Sequence, residues 1–346
     1  MSFSSELLAW YDVSARALPW RGTRDPYRVW LSEIMLQQTQ AETVKGYYTR
    51  FLDRFPDVFA LAEADEETVL KLWEGLGYYS RARNLHAAAK RVALDGGAFP
   101  NSAKGLRALP GIGPYVANAV ASIAFGEPVP ALDGNQARVL SRVLAWEPVL
   151  RTPFDLEAPA TELISRERPG DYNQALMDLG AMICTPRSPA CDACPVRGHC
   201  RAYTEDSAGD FPRKPAPAAK AEERWSVVLM LCDGRLLTRR RGKGLLGGLY
   251  EFCALEGWGD AREIEARLEG MGFVNPRVLQ ALPEAKHVFT HKVWRMQGWL
   301  ADCGAAPDGL IPVDAAALEA LPFPSALRVY REIARDVLNG ASGKHA

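Results

Sequence analysis

Leu106-Arg107-Ala108-Leu109-Pro110-Gly111-Ile112-Gly113-Pro114-Tyr115-Val116-Ala117 reads as one helix, a tight Pro-Gly-Ile-Gly corner, and a second helix. Glycine reaches positive φ without steric cost and leaves its backbone bare. Amides at the start of the second helix then form an anion site, which a DNA phosphate fits without sequence preference. A plain helical corner would look similar, so the rest of the chain has to decide. On both sides the pattern is helical. Val29-Trp30-Leu31-Ser32-Glu33-Ile34-Met35-Leu36 and the run from Val116 to Phe125 carry apolar residues at helical spacing. Residues 1–204 therefore read as an all-α half.

With 346 residues the chain is too long for one ordinary domain. Residues 205–222 are polar and proline-rich, including Phe211-Pro212-Arg213-Lys214-Pro215-Ala216-Pro217, and read as a linker. Beyond them the rhythm is strand-like. Trp225 to Leu231 is an apolar strand, Asp233-Gly234 a hairpin turn, and Arg235 to Arg239 its return. Ala261 to Gly270 is an amphipathic helix stopping at a glycine, and further strands are expected at 288–290 and 293–299. The second domain is thus α+β over 223–338, with 339–346 expected as a disordered tail. No repeat of solenoid period is visible.

Hydrophobic residues make up 48% and charged residues 24% of the chain, a soluble globular composition. No apolar run reaches the roughly 18 residues of a membrane span, and the first residues lack a secretory pattern. A cytoplasmic monomer away from membranes is expected. The net charge of −1 neither supports nor excludes a DNA partner, since a local basic face and backbone amides suffice.

Four of the seven cysteines crowd into Cys184-x6-Cys191-x2-Cys194-x5-Cys200. Soft thiolates at this density take zinc or an iron–sulfur cluster. Structural zinc sites usually place two short pairs across a longer gap, whereas here one pair is flanked by single cysteines, a loop that can wrap a cubane. Arg187, Arg197, His199 and Arg201 make the loop basic and suited to phosphate. Cys232, Cys253 and Cys303 lie in apolar surroundings and are expected as buried thiols.

Two carboxylates stand out. Glu33 shares a helix face with Val29 and Trp30; desolvation there would favour its neutral form and supply a general acid, although a solvated stripe is the other reading. Asp133, between Leu132 and Gly134-Asn135, is either a helix N-cap or a functional carboxylate. A pair of this kind suits glycosidic chemistry, one group protonating the leaving group and the other stabilising an oxocarbenium-like centre.

Leu18-Pro19-Trp20-Arg21, Trp30 to Gln40, Gly75 to Leu85, the hairpin, Leu132-Asp133-Gly134-Asn135 and the four cysteines together resemble the adenine DNA glycosylase (MutY) family of the helix–hairpin–helix superfamily. The resemblance implies a six-helix barrel over about 20–130 with the hairpin at about 105–125. It implies an iron–sulfur domain built from 1–19 and 131–204, with one 4Fe–4S cluster on Cys184, Cys191, Cys194 and Cys200. By the resemblance Glu33 protonates a flipped adenine, Asp133 stabilises the sugar cation or bonds to it transiently, and Asn135 assists. Trp20 and Leu36 line the adenine pocket. Gln38 and Tyr78 wedge into the duplex, and Arg16, Arg21, Gly111 and Gly113 bind DNA. Tyr115 stands where related lyases carry a nucleophilic lysine, and is expected to hydrogen bond near Asp133 and the sugar.

Residues 223–338 resemble the Nudix-like recognition domain of the same family. Gly248 and Arg262-Glu263-Ile264 fit the Nudix box, but Ala254 and Ala266-Arg267 replace its magnesium carboxylates, so diphosphate hydrolysis is not expected. Phe289-Thr290-His291 matches the loop that contacts 8-oxoguanine, with threonine where many members have serine. The implied partner is double-stranded DNA with adenine opposite 8-oxoguanine. An endonuclease III-like lyase would keep the lysine and lack the second domain. A non-catalytic iron–sulfur DNA-binding protein would not need Glu33 and Asp133. The residue at 115 makes a direct prediction: borohydride added during turnover should trap little or no enzyme on DNA, and strong trapping on oxidised pyrimidines would mark a lyase instead.

Overall fold

The computed structural model describes residues 2–216, 219–242 and 244–342. The first half is helical: α1 (Phe3–Ser14), α2 (Pro26–Leu36), α3 (Ala41–Arg54), α4 (Val58–Glu63), α5 (Glu66–Leu72), α6 (Ser80–Leu94), α7 (Ala103–Leu106), α8 (Pro114–Phe125), α9 (Gly134–Val143), α10 (Glu157–Leu163), α11 (Pro169–Met182) and α12 (Arg201–Thr204). The second is mixed: β1 (Ala221–Cys232), β2 (Arg235–Arg240), β3 (Tyr250–Glu251), β4 (Cys253–Glu256), α13 (Ala261–Gly270), β5 (Arg277–Val288), β6 (Lys292–Cys303), β7 (Ile311–Val313), α14 (Ala315–Ala320) and α15 (Arg328–Ser342). The chain is therefore multidomain, with an all-α half followed by an α+β domain.

Two compact units result, and their boundary is not the linear one. Residues 1–64 and 84–217 form the first; 65–83 join 218–346 in the second. In the first unit, α2 starts where proline should start a helix. Asp25 caps the amides of Tyr27 and Arg28, and Pro26 takes the first turn. Trp30, Leu31 and Met35 of this helix are fully buried. Residues of α1, α9 and α11 share one core with the cysteine loop: Phe3, Leu7, Leu140, Tyr172, Leu176 and Val196 pack together, with Cys184, Cys194 and Cys200 against them.

At the corner between α7 and α8, Gly111 has φ 70°, and a Cβ there would lie 2.4 Å from Cβ of Asn84. Gly113 differs: its φ is −81°, and nothing lies within 4 Å of an added Cβ. It is the N-cap of α8, makes no side-chain cap, and precedes Pro114, so the first-turn amides stay bare.

The second unit is a sheet of order β3-β2-β1-β6-β5, with β4 on β1 and β7 on β2. β1 and β6 run parallel from Ala221↔Lys292 to Cys232↔Cys303. Alternate residues of β1 serve both faces. Val227 and Leu229 pack with Tyr330, Ala334 and Leu338 of α15; Val228 and Met230 pack with Ile264 and Leu268 of α13. Asp233 and Gly234, at φ 49° and 74°, form the tight turn into β2 that the right-handed strand twist favours.

Segment 65–83 is bound into this unit by its side chains. Glu74 accepts from Phe323 N at 2.9 Å and from Arg331 at 2.5 Å, Tyr79 donates to Phe323 O at 3.2 Å, and Tyr250 donates to Glu67 at 3.1 Å.

Four expectations about boundaries change. Residues 339–342 are the last turn of α15 rather than disordered tail, because the helix continues past the buried Leu338; 343–346 lie outside the described residues. Strand β1 begins at Ala221, inside the expected linker, because the parallel ladder with β6 reaches that far. The start of that linker is docked, not free: Phe211 is buried beside Ala145 and Ala202, and Leu150 N donates to Arg213 O at 2.7 Å. The stretch expected as a six-helix barrel contains seven helices, α2 to α8, and α5 belongs to the second unit. Of the three isolated cysteines, Cys253 is buried but Cys232 and Cys303 are only partly so.

The corner gives a paired prediction. Gly111→Ala combines left-handed strain with a clash and should cost about 1–3 kcal/mol in denaturant unfolding. Gly113→Ala should stay within about 0.5 kcal/mol.

Candidate active site and iron–sulfur loop

One open cleft in the first unit, about 1070 Å³, gathers most of the expected residues. Arg16, Trp20, Arg21, Glu33, Leu36, Gln38, Tyr115, Asp133 and Asn135 all line it. That lies at the top of the 300–1,000 Å³ typical of small-molecule pockets and leaves room for a nucleotide.

Glu33 projects from α2 with only 5% exposure. Tyr115, in the first turn of α8, donates its hydroxyl to Glu33 Oε2 at 2.5 Å. Burial raises the Glu33 pKa above the ordinary carboxylate value. The Tyr115 hydrogen bond and the charge of Arg21 pull it back, and the charge of Asp133 raises it. A carboxyl in this state holds a proton nearer neutrality than a solvated one. Tyr115 bonds Glu33 because the start of α8 packs against α2, and it stays within the electrostatic reach of Asp133.

Asp133 is both of the things its sequence allowed. Its Oδ1 caps α9 by accepting from Gln136 N at 2.7 Å, while Oδ2 accepts from Asn135 Nδ2 at 3.1 Å. Burial raises its pKa, and the Gln136 and Asn135 hydrogen bonds oppose that rise. The cap and the wall of the cleft are therefore one group.

Arg16 and Arg21 line the cleft, but both guanidinium groups are held by Asp178, a fully buried carboxylate on α11. Arg16 Nε and Nη2 donate to Oδ1 at 2.8 and 2.7 Å, Arg16 N donates to Oδ2 at 3.1 Å, and Arg21 Nη2 donates to Oδ1 at 2.8 Å. Two cations thus share one buried anion, leaving one net positive charge on this wall. Asp178 was not singled out from the sequence. Its only signal was an acid inside the apolar run Leu176-Met177-Asp178-Leu179.

Helix α9 links the cleft to the cysteine loop. Arg138 donates to Asn135 Oδ1 at 2.9 Å, to Gly180 O at 2.8 Å and to Cys184 O at 2.8 Å. One turn on, buried Arg142 donates to Cys184 Sγ at 3.2 Å, Thr185 O at 2.8 Å and Pro186 O at 3.0 Å. These residues also escaped the sequence reading.

The four thiols of Cys184, Cys191, Cys194 and Cys200 line one space, walled by Arg142, Ile183, Pro189 and Ala208. Burial raises the Cys191 and Cys200 thiols and pushes Cys194 up to about 11, so bound iron would be needed to stabilise the thiolates. Four soft donors lining one space fit an iron–sulfur cluster.

Gln38 and Tyr78 share an unusual backbone. Both are exposed non-glycine residues in the left-handed region, at φ 57° and 49°. Such strain persists only where the surroundings impose it, and it collects at functional sites. In the second unit, Tyr78 OH and Thr290 Oγ1 are 2.8 Å apart. Phe289, Thr290 and His291 form the turn between β5 and β6. Among the described residues the positions expected for magnesium carboxylates are Ala254 on β4 and Ala266-Arg267 on α13.

This architecture is that of a helix–hairpin–helix DNA glycosylase. Residues 31–165 match the HhH-GPD superfamily of base excision DNA repair proteins. Residues 184–200 match the iron–sulfur binding domain of endonuclease III, and 226–332 a NUDIX domain. The adenine DNA glycosylase of Mus musculus is 36% identical, covering 90% of this chain and 72% of that protein. The Homo sapiens enzyme is 36% identical over 90% and 68%, and that of Buchnera aphidicola subsp. Baizongia pistaciae 36% over 72% and 73%. A thermostable thymine-DNA glycosylase superposes with TM-score 0.55 at 32% identity, covering 59% of this chain and 95% of its own. An endonuclease III–DNA complex, at TM-score 0.51 and 22% identity over 59% and 94%, shares the fold. The chain belongs to the adenine DNA glycosylase family. It is an enzyme of base excision repair that carries an iron–sulfur site. No helix among the described residues is long and apolar enough to cross a membrane.

The Tyr115–Glu33 bond carries a signed prediction. A donor to Glu33 stabilises its carboxylate, so Tyr115→Phe raises the Glu33 pKa. If protonated Glu33 is the acid, the alkaline limb of the single-turnover pH profile moves to higher pH. A limb that stays in place, or moves down, argues against Glu33 as the group titrating.

Proposed function

We propose that this chain hydrolyses the N-glycosidic bond of adenine paired with 8-oxoguanine, or less efficiently with guanine, in double-stranded DNA, without lyase activity. What carries the reading is one cleft that holds a desolvated carboxyl, Glu33, and a second carboxylate, Asp133. The target base has to leave the stack to reach them. The bare first-turn amides of α8 bind a phosphate, and Gln38 and Tyr78 enter the duplex where the base has left.

Glu33 gives its proton to adenine N7. The C1′–N9 bond then breaks with its electron pair on the base, now a neutral leaving group. Asp133 faces the positive charge that grows on the sugar, through Oδ2 beside Asn135, or bonds to C1′ until water replaces it. Water adds at C1′ and returns a proton to the site. Tyr115 keeps Glu33 in position, and Trp20 and Leu36 bound the base. Ion–dipole and acid–base contributions of this sort are worth about 10²–10⁴-fold each.

The thiols of Cys184, Cys191, Cys194 and Cys200 would hold one 4Fe–4S cluster, which would pin the loop that Arg142 and Arg138 tie to α9. In the second unit Phe289-Thr290-His291 reads 8-oxoguanine, the threonine hydroxyl serving as donor and acceptor.

The test is adenine release from duplexes with adenine opposite 8-oxoguanine, guanine or thymine, under single turnover. Wild type should act fastest on the first. Glu33→Gln, which keeps the shape but cannot protonate the base, should lose about 10²–10⁴-fold. Full activity in Glu33→Gln, or no preference among the opposing bases, would sink the reading.

A further inference from the structure

The Phe289–His291 turn is short, and what fixes it lies mostly beneath it. Phe289 N donates to Lys292 O at 2.8 Å, closing the hairpin. The Phe289 ring stands edge-on to Trp294, centroids 4.9 Å apart at 72°, and edge-on to His287 at 4.5 Å. Trp294 is the floor of this group and is 5% exposed. Three donors, two from β6 and one from β1 itself, meet on one carboxylate, Glu223 of β1. Trp294 Nε1 donates to Oε2 at 2.7 Å, Lys292 Nζ to Oε1 at 2.5 Å, and Trp225 Nε1 to Oε2 at a long 3.4 Å. Lys220 Nζ, also ahead of β1, donates to Phe289 O at 2.8 Å. Arg241 also lies over the Trp294 ring, 5.7 Å from its centroid, and is paired with the buried Glu251.

We propose that Glu223 is a positioning residue for base discrimination: by holding the Trp294 indole it sets where Phe289, Thr290 and His291 stand. The inference rests on the reading of that turn as the 8-oxoguanine contact. The two purines differ by one oxygen and one N–H, so discrimination comes down to a hydrogen bond or so. Such a bond is worth about 0.5–1.5 kcal/mol, and a reading group has to be held to about 0.5 Å to keep it. A turn resting on one ring inherits that ring's freedom. The ion pair with Lys292 is partly solvated and on its own contributes little. The indole hydrogen bond is the effective restraint, and any acceptor of the same length would serve.

That distinction sets the experiment. Full-length wild type, Glu223→Ala, Glu223→Gln and Thr290→Ala are compared for adenine release opposite 8-oxoguanine and opposite guanine. Unfolding midpoints and the Trp294 indole ¹H–¹⁵N signal, assigned with Trp294→Phe, are recorded alongside. Glu223→Ala should lower the 8-oxoguanine to guanine rate ratio by about tenfold, the effect of one hydrogen bond of about 1.4 kcal/mol. Its rate opposite guanine should hold within about twofold, and its indole signal should move. Glu223→Gln keeps the acceptor and should retain both ratio and signal. The inference is overturned if Glu223→Ala keeps the ratio while Thr290→Ala loses it, or if Glu223→Ala slows both substrates alike. It is overturned too if Glu223→Gln behaves as Glu223→Ala, which would make the charge the cause. If Thr290→Ala also leaves the ratio unchanged, the reading of the turn itself has failed, and the inference fails with it.

Discussion

A carboxyl group with almost no water around it is the condition the rest of this structure serves. Glu33 occupies a helix whose neighbours Trp30, Leu31 and Met35 are fully buried. Removing an ionisable group from water costs several kcal/mol if it stays charged, so it relaxes toward its neutral form. That makes a proton donor, and it also demands walls. The walls come from α8, which supplies Tyr115, from the start of α9, which supplies Asp133, and from α11, which supplies Asp178 and through it the two arginines. Tyr115, Asp133 and Arg21 are the polar groups these walls bring to bear on the carboxyl.

The second organising element is α9. Its first turn is capped by Asp133, its second carries Arg138, and its third carries Arg142. The arginines bond the cysteine loop through carbonyls and one sulfur. A shift of the loop would be carried along a rigid helix to the carboxylate that caps it. The spacing of these residues, about one helical turn apart, is what lets one helix face do this.

Much of this was legible in the sequence where a local rule had a chemical consequence. Gly111 announced a corner because glycine takes a positive φ at the least steric cost, and the crowding by Asn84 only adds to that. Four cysteines in one short stretch announced a soft-metal site, and Asp133 was visible as a cap. The unread parts are those in which distant residues meet. Asp178 and Arg16 are 162 positions apart, and nothing near either names the other. Arg142 looked like one more charge on a helix until the loop carbonyls came to it. Glu223 sat among the charged residues that open a strand, and its role depends on Trp294, 71 positions away. Tyr115 was read correctly as a residue that is not an amine, but its partner depended on which helix faced which. The boundary at 65–83 had no compositional mark, because its polar side chains pair with groups in a part of the chain more than a hundred residues on.

That last segment bears on how the protein comes into being. Tyr78 and Thr290 are hydrogen-bonded neighbours, yet 212 residues separate them. At about 5–20 residues per second, translation delivers the second roughly 10–40 seconds after the first. The strand-and-turn framework that will receive α5 and Tyr78 does not exist during that interval. A protein whose two units followed one another along the chain could finish the first before starting the second. Here the order of synthesis and the order of assembly diverge, and the early segment waits for a late one.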